Sequence, residues 1–247
     1  MKYYDAHLHF PSPDSSGLAK LKTYLANEKS SFIGGNLILN TPQELEFALQ
    51  NKAELPPNLN WVPFWDEGYE YPSEACFCGW FKIHPVFSKI RPGAAANYAK
   101  RVAANRHRIK GLIVHAFPWG VDIAYRSSLE LVLALAQNMP DTPILCTHGG
   151  GYQSWEFRAH TASIRNVYYD FSTTAIYYAD SDYIIPLKVY INRCPGRVIF
   201  ASDYPTGTGT DHVQAYLGMA LKAGMDENTL ECQLLKNAEA LWTFLNE

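Results

Sequence analysis

Charge is scarce in this chain: only 18% of its 247 residues are Asp, Glu, Lys or Arg. Lys plus Arg is 21 against 24 Asp plus Glu, a net charge of -3, and no basic block is longer than Arg106-His107-Arg108. A groove that holds nucleic acid by displacing counterions needs a basic stripe, so no nucleic-acid partner is expected. The five cysteines (Cys76, Cys78, Cys146, Cys194 and Cys232) are odd in number and scattered, which does not make a disulfide framework. No run approaches the ~18–20 apolar residues of a membrane span, so no membrane partner is expected either. The opening Met1-Lys2-Tyr3-Tyr4-Asp5-Ala6-His7 carries no apolar segment of a secretory signal. These absences point to a cytoplasmic setting. Repeats, low-complexity stretches and linkers are missing too, so one domain over residues 1–247 is expected. Apolar residues, by contrast, are plentiful at 47%, which excludes wholesale disorder and supplies a large core. Aromatic content of 14% allows a homodimer interface without requiring one.

Short apolar or aromatic runs recur at Tyr3–Leu8, Asn36–Leu39, Trp61–Phe64, Trp80–Ile83, Gly111–Val114, Pro143–Cys146, Val167–Phe171 and Arg197–Ala201. Their spacing of about 28 residues suits a strand, a helix and two loops in a right-handed parallel crossover. Thr41-Pro42-Gln43-Glu44 and Ser127-Ser128-Leu129-Glu130 read as capping boxes that open helices, and Pro140 stops the second helix. Ala94–Ala104 is helix-forming by composition, and Asn228–Leu245 is amphipathic at helical spacing. The gap from Phe64 to Trp80, with Gly68 and Pro72, reads as an irregular loop. Eight strands alternating with helices predict an α/β fold, a (β/α)8 TIM barrel, with a doubly wound open sheet as the alternative. An open sheet would normally carry a Gly-rich first turn, and residues 10–20 offer one glycine.

Asp5-Ala6-His7-Leu8-His9 is the most informative segment. Strand alternation puts Asp5, His7 and His9 on one face, where two imidazoles can chelate one cation. Taken alone, the pattern equally suits two buried, hydrogen-bonded histidines. Three further runs end in ligand-type residues: His115 after Ile113-Val114, His148 after Cys146-Thr147, and Asp203 after Ala201-Ser202. Barrels place chemistry at that edge of the sheet. Individually, His115 reads as a core histidine, His148 as a turn residue before Gly149-Gly150-Gly151, and Asp203 as a helix cap. Jointly they favour one divalent ion, zinc first and Mn, Fe or Co as alternatives. Such an ion lowers the pKa of a water toward ~7 and polarises a carbonyl. Lys82 and His84 share one side of the fourth strand as groups that touch substrate or orient a ligand.

Residues between the runs read less sharply. Arg158, near Trp155 and His160, is a candidate clamp for a substrate carboxylate, with a solvated loop arginine the competing reading. Trp119, in Phe117-Pro118-Trp119-Gly120, is a candidate wall for an aromatic or unsaturated substrate. Thr206-Gly207-Thr208-Gly209-Thr210 reads as a loop, Cys76-Phe77-Cys78 as incidental, and His107 and His212 as surface. Asp170 reads as structural or as a residue behind the ligands.

Asp5-Ala6-His7-Leu8-His9, Phe81-Lys82-Ile83-His84-Pro85, Gly111–His115, Thr147-His148-Gly149-Gly150, Asn166–Asp170, Ala201-Ser202-Asp203-Tyr204-Pro205 and Lys236–Leu241 occur in one order through most of the chain. In that order and spacing they resemble the amidohydrolase superfamily, in its branch of aminocarboxymuconate-semialdehyde decarboxylase-like and lactonase-like enzymes. The resemblance implies that His7, His9 and His115 are metal ligands. Asp203 would bind the metal, take a proton from water, or both. His148 would polarise substrate, activate water, or bind a second ion. It also implies that Lys82 becomes a carbamate bridging two ions if the site is binuclear; one ion is the expectation. Other metal barrels that open with HxH fit less well. TatD-like nucleases expect a Glu where Lys82 and His84 stand, and PHP phosphoesterases use seven strands and more His and acidic ligands.

Three functions compete. The first is a metal-dependent hydrolase of an amide, cyclic amide or lactone. The second is a non-oxidative decarboxylase of an unsaturated or aromatic acid on the same site. The third is a barrel that only binds a small molecule or metal. A small-molecule substrate is expected for the first two.

Overall fold

The computed structural model describes residues 1–72, 78–91, 93–117, 128–178, 181–182, 184–206 and 211–242, with backbone only for Ile184, Pro186, Ile191, Asp211 and His212. Among the described residues, seven strands form two parallel sheets. The first runs β1 (Tyr3–His9), β2 (Phe32–Leu39), β3 (Leu59–Pro63); the second runs β4 (Trp80–Ile83), β5 (Gly111–His115), β6 (Ile144–Thr147), β7 (Val167–Tyr169). Strand order follows chain order throughout, as right-handed crossovers require. Among the described residues, β3 and β4 meet at a bridge between Phe64 and Lys82, where Trp65 N donates to Lys82 O at 2.7 Å.

The eighth run, expected as a strand over Arg197–Ala201, is not one. Its backbone touches β7 through an isolated bridge, Tyr169 to Val198, and the chain just after it touches β1 through another, Leu8 to Tyr204. Its Phe200 N bonds away from the ladder, to Gln233 O at 3.0 Å, and just beyond the run Ser202 N donates to Asp5 Oδ1 at 2.9 Å. The segment still closes the ring through Ile199 N to Tyr169 O at 2.9 Å and Asp203 N to His7 O at 2.7 Å. The fold is thus the expected (β/α)8 TIM barrel in class, with an incomplete eighth ladder.

Helices cover the outside: α1 (Ser15–Asn27), α2 (Pro42–Gln50), α3 (Ala95–Ala104), α4 (Ser128–Asn138), α5 (Ser154–Thr161), α6 (Ser172–Tyr177), α7 (Ile184–Arg193), α8 (Asp211–Lys222), α9 (Glu227–Glu231) and α10 (Asn237–Leu241). The capping box at Thr41 forms in altered shape. Thr41 Oγ1 accepts from Glu44 N at 3.2 Å, but Glu44 Oε2 reaches one residue further back, to Asn40 N at 2.6 Å. Ser127, of the second box, lies outside the described residues. No helix follows β3 among residues 64–72 and 78–79, as Gly68 and Pro72 imply. The expected single helix over Asn228–Leu245 is instead α9, a π turn over Cys232–Lys236, and α10. A π turn frees a carbonyl from the helical pattern, and Gln233 O uses that freedom to accept from Phe200 N.

The barrel interior holds Ala6, Ile38, Val62, Trp80, Ile113, Leu145 and Ile199. Trp242 closes its floor, stacked on Tyr4 at 5.4 Å and packed on Trp80 at 4.6 Å. Outside the sheets, a second apolar layer seats Leu8, Leu37 and Leu39 against α1 and α2. With the floor filled, the opening lies at the C-terminal ends of the strands. Among the described residues, no helix is long and apolar enough to cross a membrane.

Candidate metal and active site

Strand β1 does not alternate simply. Its pairing with β2 shifts between Asp5 and Leu8, where β1 carries one residue more than its partner. Tyr4 and Ala6 therefore join the interior cluster. Asp5 turns to backbone instead, accepting from His7 N at 3.2 Å and Ser202 N at 2.9 Å. The expectation that Asp5 shares a face with both histidines by period two is corrected here: the bulge separates them. His7 and His9 do emerge together.

Their Nε2 atoms stand 3.0 Å apart, and Lys82 Nζ, on β4, lies 3.0 Å from the same His7 Nε2. One imidazole nitrogen carries either one proton or one lone pair, so it cannot make both contacts as ordinary hydrogen bonds. Asp203 Oδ1 is 3.4 Å from His9 Nε2 and 3.6 Å from His7 Nδ1. Two nitrogens bound at ~2.0–2.1 Å to one tetrahedral ion stand ~3.3 Å apart. The His7–His9 and His9–Asp203 spacings bracket that value. His7 Nδ1 and Asp170 Oδ2 are buried without hydrogen-bond partners. Donor types, spacing and orphaned atoms together fit a divalent cation at His7, His9 and Asp203. A second group, His7, His148 and Asp170, also has its ligand atoms within 4.8 Å of one another.

Asn40, after β2, touches the outer side of His9: its Nδ2 lies 3.2 Å from Nδ1, while its buried Oδ1 has no partner. The opposite amide orientation places Oδ1 on Nδ1–H. It pairs Oδ1 with a His9 donor and leaves His9 Nε2 bare for a cation, with Nδ2 in the partnerless position instead.

His148 follows β6 and opens a turn in which Gly149, Gly150 and Gly151 all have positive φ. A Cβ on Gly149 would meet the Phe171 ring at 2.4 Å, so glycine is required by space as well as by φ. His148 itself has φ 62° and Asp203 φ 59°, left-handed conformations that cost a side-chain-bearing residue energy. The first turn of α6 holds both. Thr174 Oγ1 donates to His148 O at 2.7 Å, and the Thr173 hydroxyl donates to Asp203 Oδ2. Ser172 Oγ donates to Asp170 Oδ1 at 2.8 Å and lies 3.1 Å from His148 Nδ1. A serine hydroxyl has one hydrogen, so toward Nδ1 it accepts. His148 therefore carries its proton on Nδ1, and Nε2 is bare.

Burial dominates the electrostatics. It pushes the His7 and His115 imidazoles well below the usual range, His148 to about 4 and His84 to about 3. Burial also lowers the Lys82 ammonium to about 8, against the opposing pull of Asp203 and Asp170. For Asp203, burial raises the pKa, but the facing His148, His7 and His9 overcome it and hold the carboxylate well below its ordinary value. Burial raises Asp170 to about 6 and Asp5 to about 7. Neutral imidazoles beside a firmly ionised carboxylate are the protonation states a cation requires.

A cavity of about 310 Å3 opens over this group, walled by His9, Lys82, His84, His115, His148 and Asp203 among others. His84 and His115 stack face to face at 4.1 Å. The structure does not bring His115 into either three-residue group. Its Nε2 stands 3.0 Å from the Phe117 carbonyl, an acceptor only, so that nitrogen carries the proton. Arg158 is on α5, not on a loop, and lines a separate 650 Å3 cavity with Trp155 and Lys188. Trp119 lies outside the described residues, as do Cys76, residues 207–210 and the His212 side chain. His107 and His160 are exposed, as is Trp155 at 50%. Sequence reasoning kept Asp170 behind the ligands and missed Ser172, Thr173 and Asn40. The cue for Ser172 and Thr173 was the run Asp170-Phe171-Ser172-Thr173-Thr174, an acid and three hydroxyls at a strand end.

A family model described as Amidohydrolase matches residues 45–244. The match starts after β1, so His7 and His9 precede it. Solved structures share the fold. An amidohydrolase 2 from Bifidobacterium longum subsp. infantis is 17% identical, with a TM-score of 0.64 over 98% of this chain and 99% of that one. An uncharacterized TIM-barrel protein from Bordetella bronchiseptica is 15% identical, with a TM-score of 0.68 over the whole of both chains (100% each). A TatD-like protein from Archaeoglobus fulgidus is 14% identical, with a TM-score of 0.56 over 98% and 100%. At these identities the likeness is one of fold. No curated protein matches the chain.

Proposed function

The chain belongs to the amidohydrolase family, and from that premise we propose that it is a metal-dependent hydrolase of an amide, cyclic amide or lactone bond in a small, cytoplasmic substrate. The observation that carries the reading is the convergence of His7 Nε2, His9 Nε2 and Asp203 Oδ1 at 3.0 and 3.4 Å beneath an open cavity. These three would hold one divalent ion, zinc first among His and carboxylate binders, with Mn, Fe and Co as alternatives. Such an ion supplies a water of lowered pKa and a polarised carbonyl.

The chain's own groups do the rest. His148 presents a bare Nε2 to take the water's proton and return it to the leaving oxygen or nitrogen. Asp203 stays ionised, its Oδ2 occupied by Thr173, so Oδ1 faces the histidines. Lys82 offers an ammonium to the substrate's carbonyl oxygen, and His84 walls the cavity. As placed, His115 is a wall residue; it joins the ligands only by turning its ring off Phe117 O.

One observation favours a second reading on the same residues. Lys82 is 2% exposed, with no carboxylate within ion-pair distance among the described residues. A substrate carboxylate would pair with it, as an unsaturated acid undergoing non-oxidative decarboxylation would require. Carbon dioxide release without lactone hydrolysis would select that reading.

The test is metal content per chain by mass spectrometry, with His7→Ala as control. About one ion per chain, lost in the variant, supports the proposal. Two ions would promote Lys82 to a bridging carbamate and point to cyclic amides. No specific ion after reconstitution with zinc or manganese would sink the mechanism and leave a binding barrel.

A further inference from the structure

A larger cleft of about 620 Å3 adjoins the 310 Å3 cavity, and Asn40 and Phe87 line both. Its depth is apolar, with Trp65 and Val102 almost fully buried. Its charged lining is balanced in number: Arg101 pairs with Glu67 at 3.6 Å, and Lys89 and Asp66 add one charge of each sign. The cleft therefore selects neither anions nor cations.

Phe87 marks the boundary. It is 58% exposed, among the few large apolar side chains left to solvent. One face stacks on His84 at 4.3 Å and 27°, and His84 stacks in turn on His115. The turn that carries Phe87 is held by three backbone bonds: Ser88 N to His84 O at 2.9 Å, Lys89 N to Val86 O at 2.9 Å and Ile90 N to Pro85 O at 2.8 Å. The backbone under the ring is thus held by its own turn, and the ring is backed by an imidazole, with its remaining surface on two joined cavities. Exposing such a ring leaves a stacking face and apolar area without a partner.

We propose that this cleft binds the non-reacting part of the substrate, and that this part is an uncharged aromatic ring stacked on Phe87, next to the carbonyl held over His148 and Asp203. The inference deepens the hydrolase reading and rests on it for turnover, but ring binding can be measured without it.

Dihydrocoumarin and δ-valerolactone are matched probes. Both are six-membered lactones that take up one water and open to a hydroxy acid, and only the first carries a fused benzene ring. In the metal-reconstituted protein, Phe87→Ala should lower the ratio of their kcat/KM values about two- to tenfold, chiefly through the KM of the aromatic lactone. Turnover of δ-valerolactone should stay within about twofold, and Phe87→Trp should restore the ratio. Saturation-transfer NMR should show the ring protons of dihydrocoumarin contacting the wild-type protein and losing that contact in Phe87→Ala. If neither lactone turns over but ring contact depends on Phe87, the cleft proposal stands and lactone hydrolysis falls. If both turn over and Phe87→Ala leaves their ratio unchanged, the proposal is overturned while the hydrolase reading stands. Equal or absent ring contact in the two proteins overturns the proposal whatever the turnover.

Discussion

Removing one hydroxyl, in Ser172→Ala, tests the assignment of His148 most directly. Ser172 Oγ gives its hydrogen to Asp170 and receives that of His148 Nδ1. All three residues are buried: His148 is 1% exposed, Asp170 0% and Ser172 3%. Without the hydroxyl, Nδ1–H has no acceptor there. A buried donor left unsatisfied costs ~1–3 kcal/mol. For a chain of this length each kcal/mol moves Tm by ~2–4 °C, so a fall of ~2–12 °C is expected.

The ring has one escape, to move its proton to Nε2. Loss of a hydrogen bond worth ~0.5–1.5 kcal/mol shifts the tautomer ratio ~2–13-fold toward Nε2–H. That form presents a donor where the mechanism needs a base. The value of kcat should therefore fall by about tenfold, with KM little changed. This is less than the ~10²–10⁴ expected for loss of the base itself in His148→Ala. Histidine ring 15N shifts in the metal-free protein read the tautomer without any substrate. Ser172→Thr, which keeps the hydroxyl, should recover both shift and rate. An Nε2–H tautomer in the wild-type protein, or an unchanged one in Ser172→Ala, would refute the reasoning regardless of activity.

Other outcomes follow from the same geometry. Arg158→Ala should leave KM within about twofold, because Arg158 lines a cavity that shares no residue with the His and Asp site; a tenfold rise measured by steady-state kinetics would contradict this. Chelation should lower Tm, since a ligand at 100 times its Kd stabilises by ~2.7 kcal/mol, or about 5–11 °C at this chain length. An unchanged Tm, with metal loss verified by mass spectrometry, would count against the site. The metal-free protein should lose stability as pH falls below ~6.5. His84 and His148 titrate at about 3 and about 4 when folded but at ~6.5 when unfolded. Their contribution is therefore complete above ~6.5 and drains as pH falls toward the folded values, at up to ~1.4 kcal/mol per group per pH unit. Asp5 and Asp170, raised to about 7 and about 6, work the opposite way, but the lowered His7 and His115 tip the balance toward acid loss. A Tm that climbs between pH 6.5 and 5 would contradict it.

The parts legible in sequence were those set by local pattern. Trp80–Ile83 reads as a strand from four residues, and the structure places β4 there with the same ends. The ligand-type residues His7, His9, His115, His148 and Asp203 could be assigned to one rim because they stand at the ends of four apolar runs, and the last four line one cavity. What stayed hidden depends on partners distant in sequence. Alternation predicted where Asp5 points, but a bulge against β2 overrode it. The eighth strand lost its ladder because Gln233, in a π turn more than thirty residues on, takes the Phe200 N–H. His115 had a correct address at the end of β5, yet address does not determine ring rotation; the Phe117 carbonyl and the His84 ring do.

The same distinction explains why α6 matters more than its six residues suggest. His148 and Asp203 are two of the three non-glycine residues with positive φ among those described. Each immediately follows an extended segment, β6 for one and the eighth run for the other, where the chain must leave the barrel wall. A left-handed turn at that step costs of order 1–2 kcal/mol for a residue with a Cβ. It also throws the side chain over the barrel mouth instead of along the strand. Strain of this kind persists only where neighbours over-determine it. Here the neighbours are three consecutive hydroxyls, Ser172 on the His148 ring, Thr174 on the His148 carbonyl and Thr173 on the Asp203 carboxylate. One helical turn thus holds both strained residues at once. His148 and the Asp203 carboxylate are positioned relative to each other by α6, not independently by their own strands.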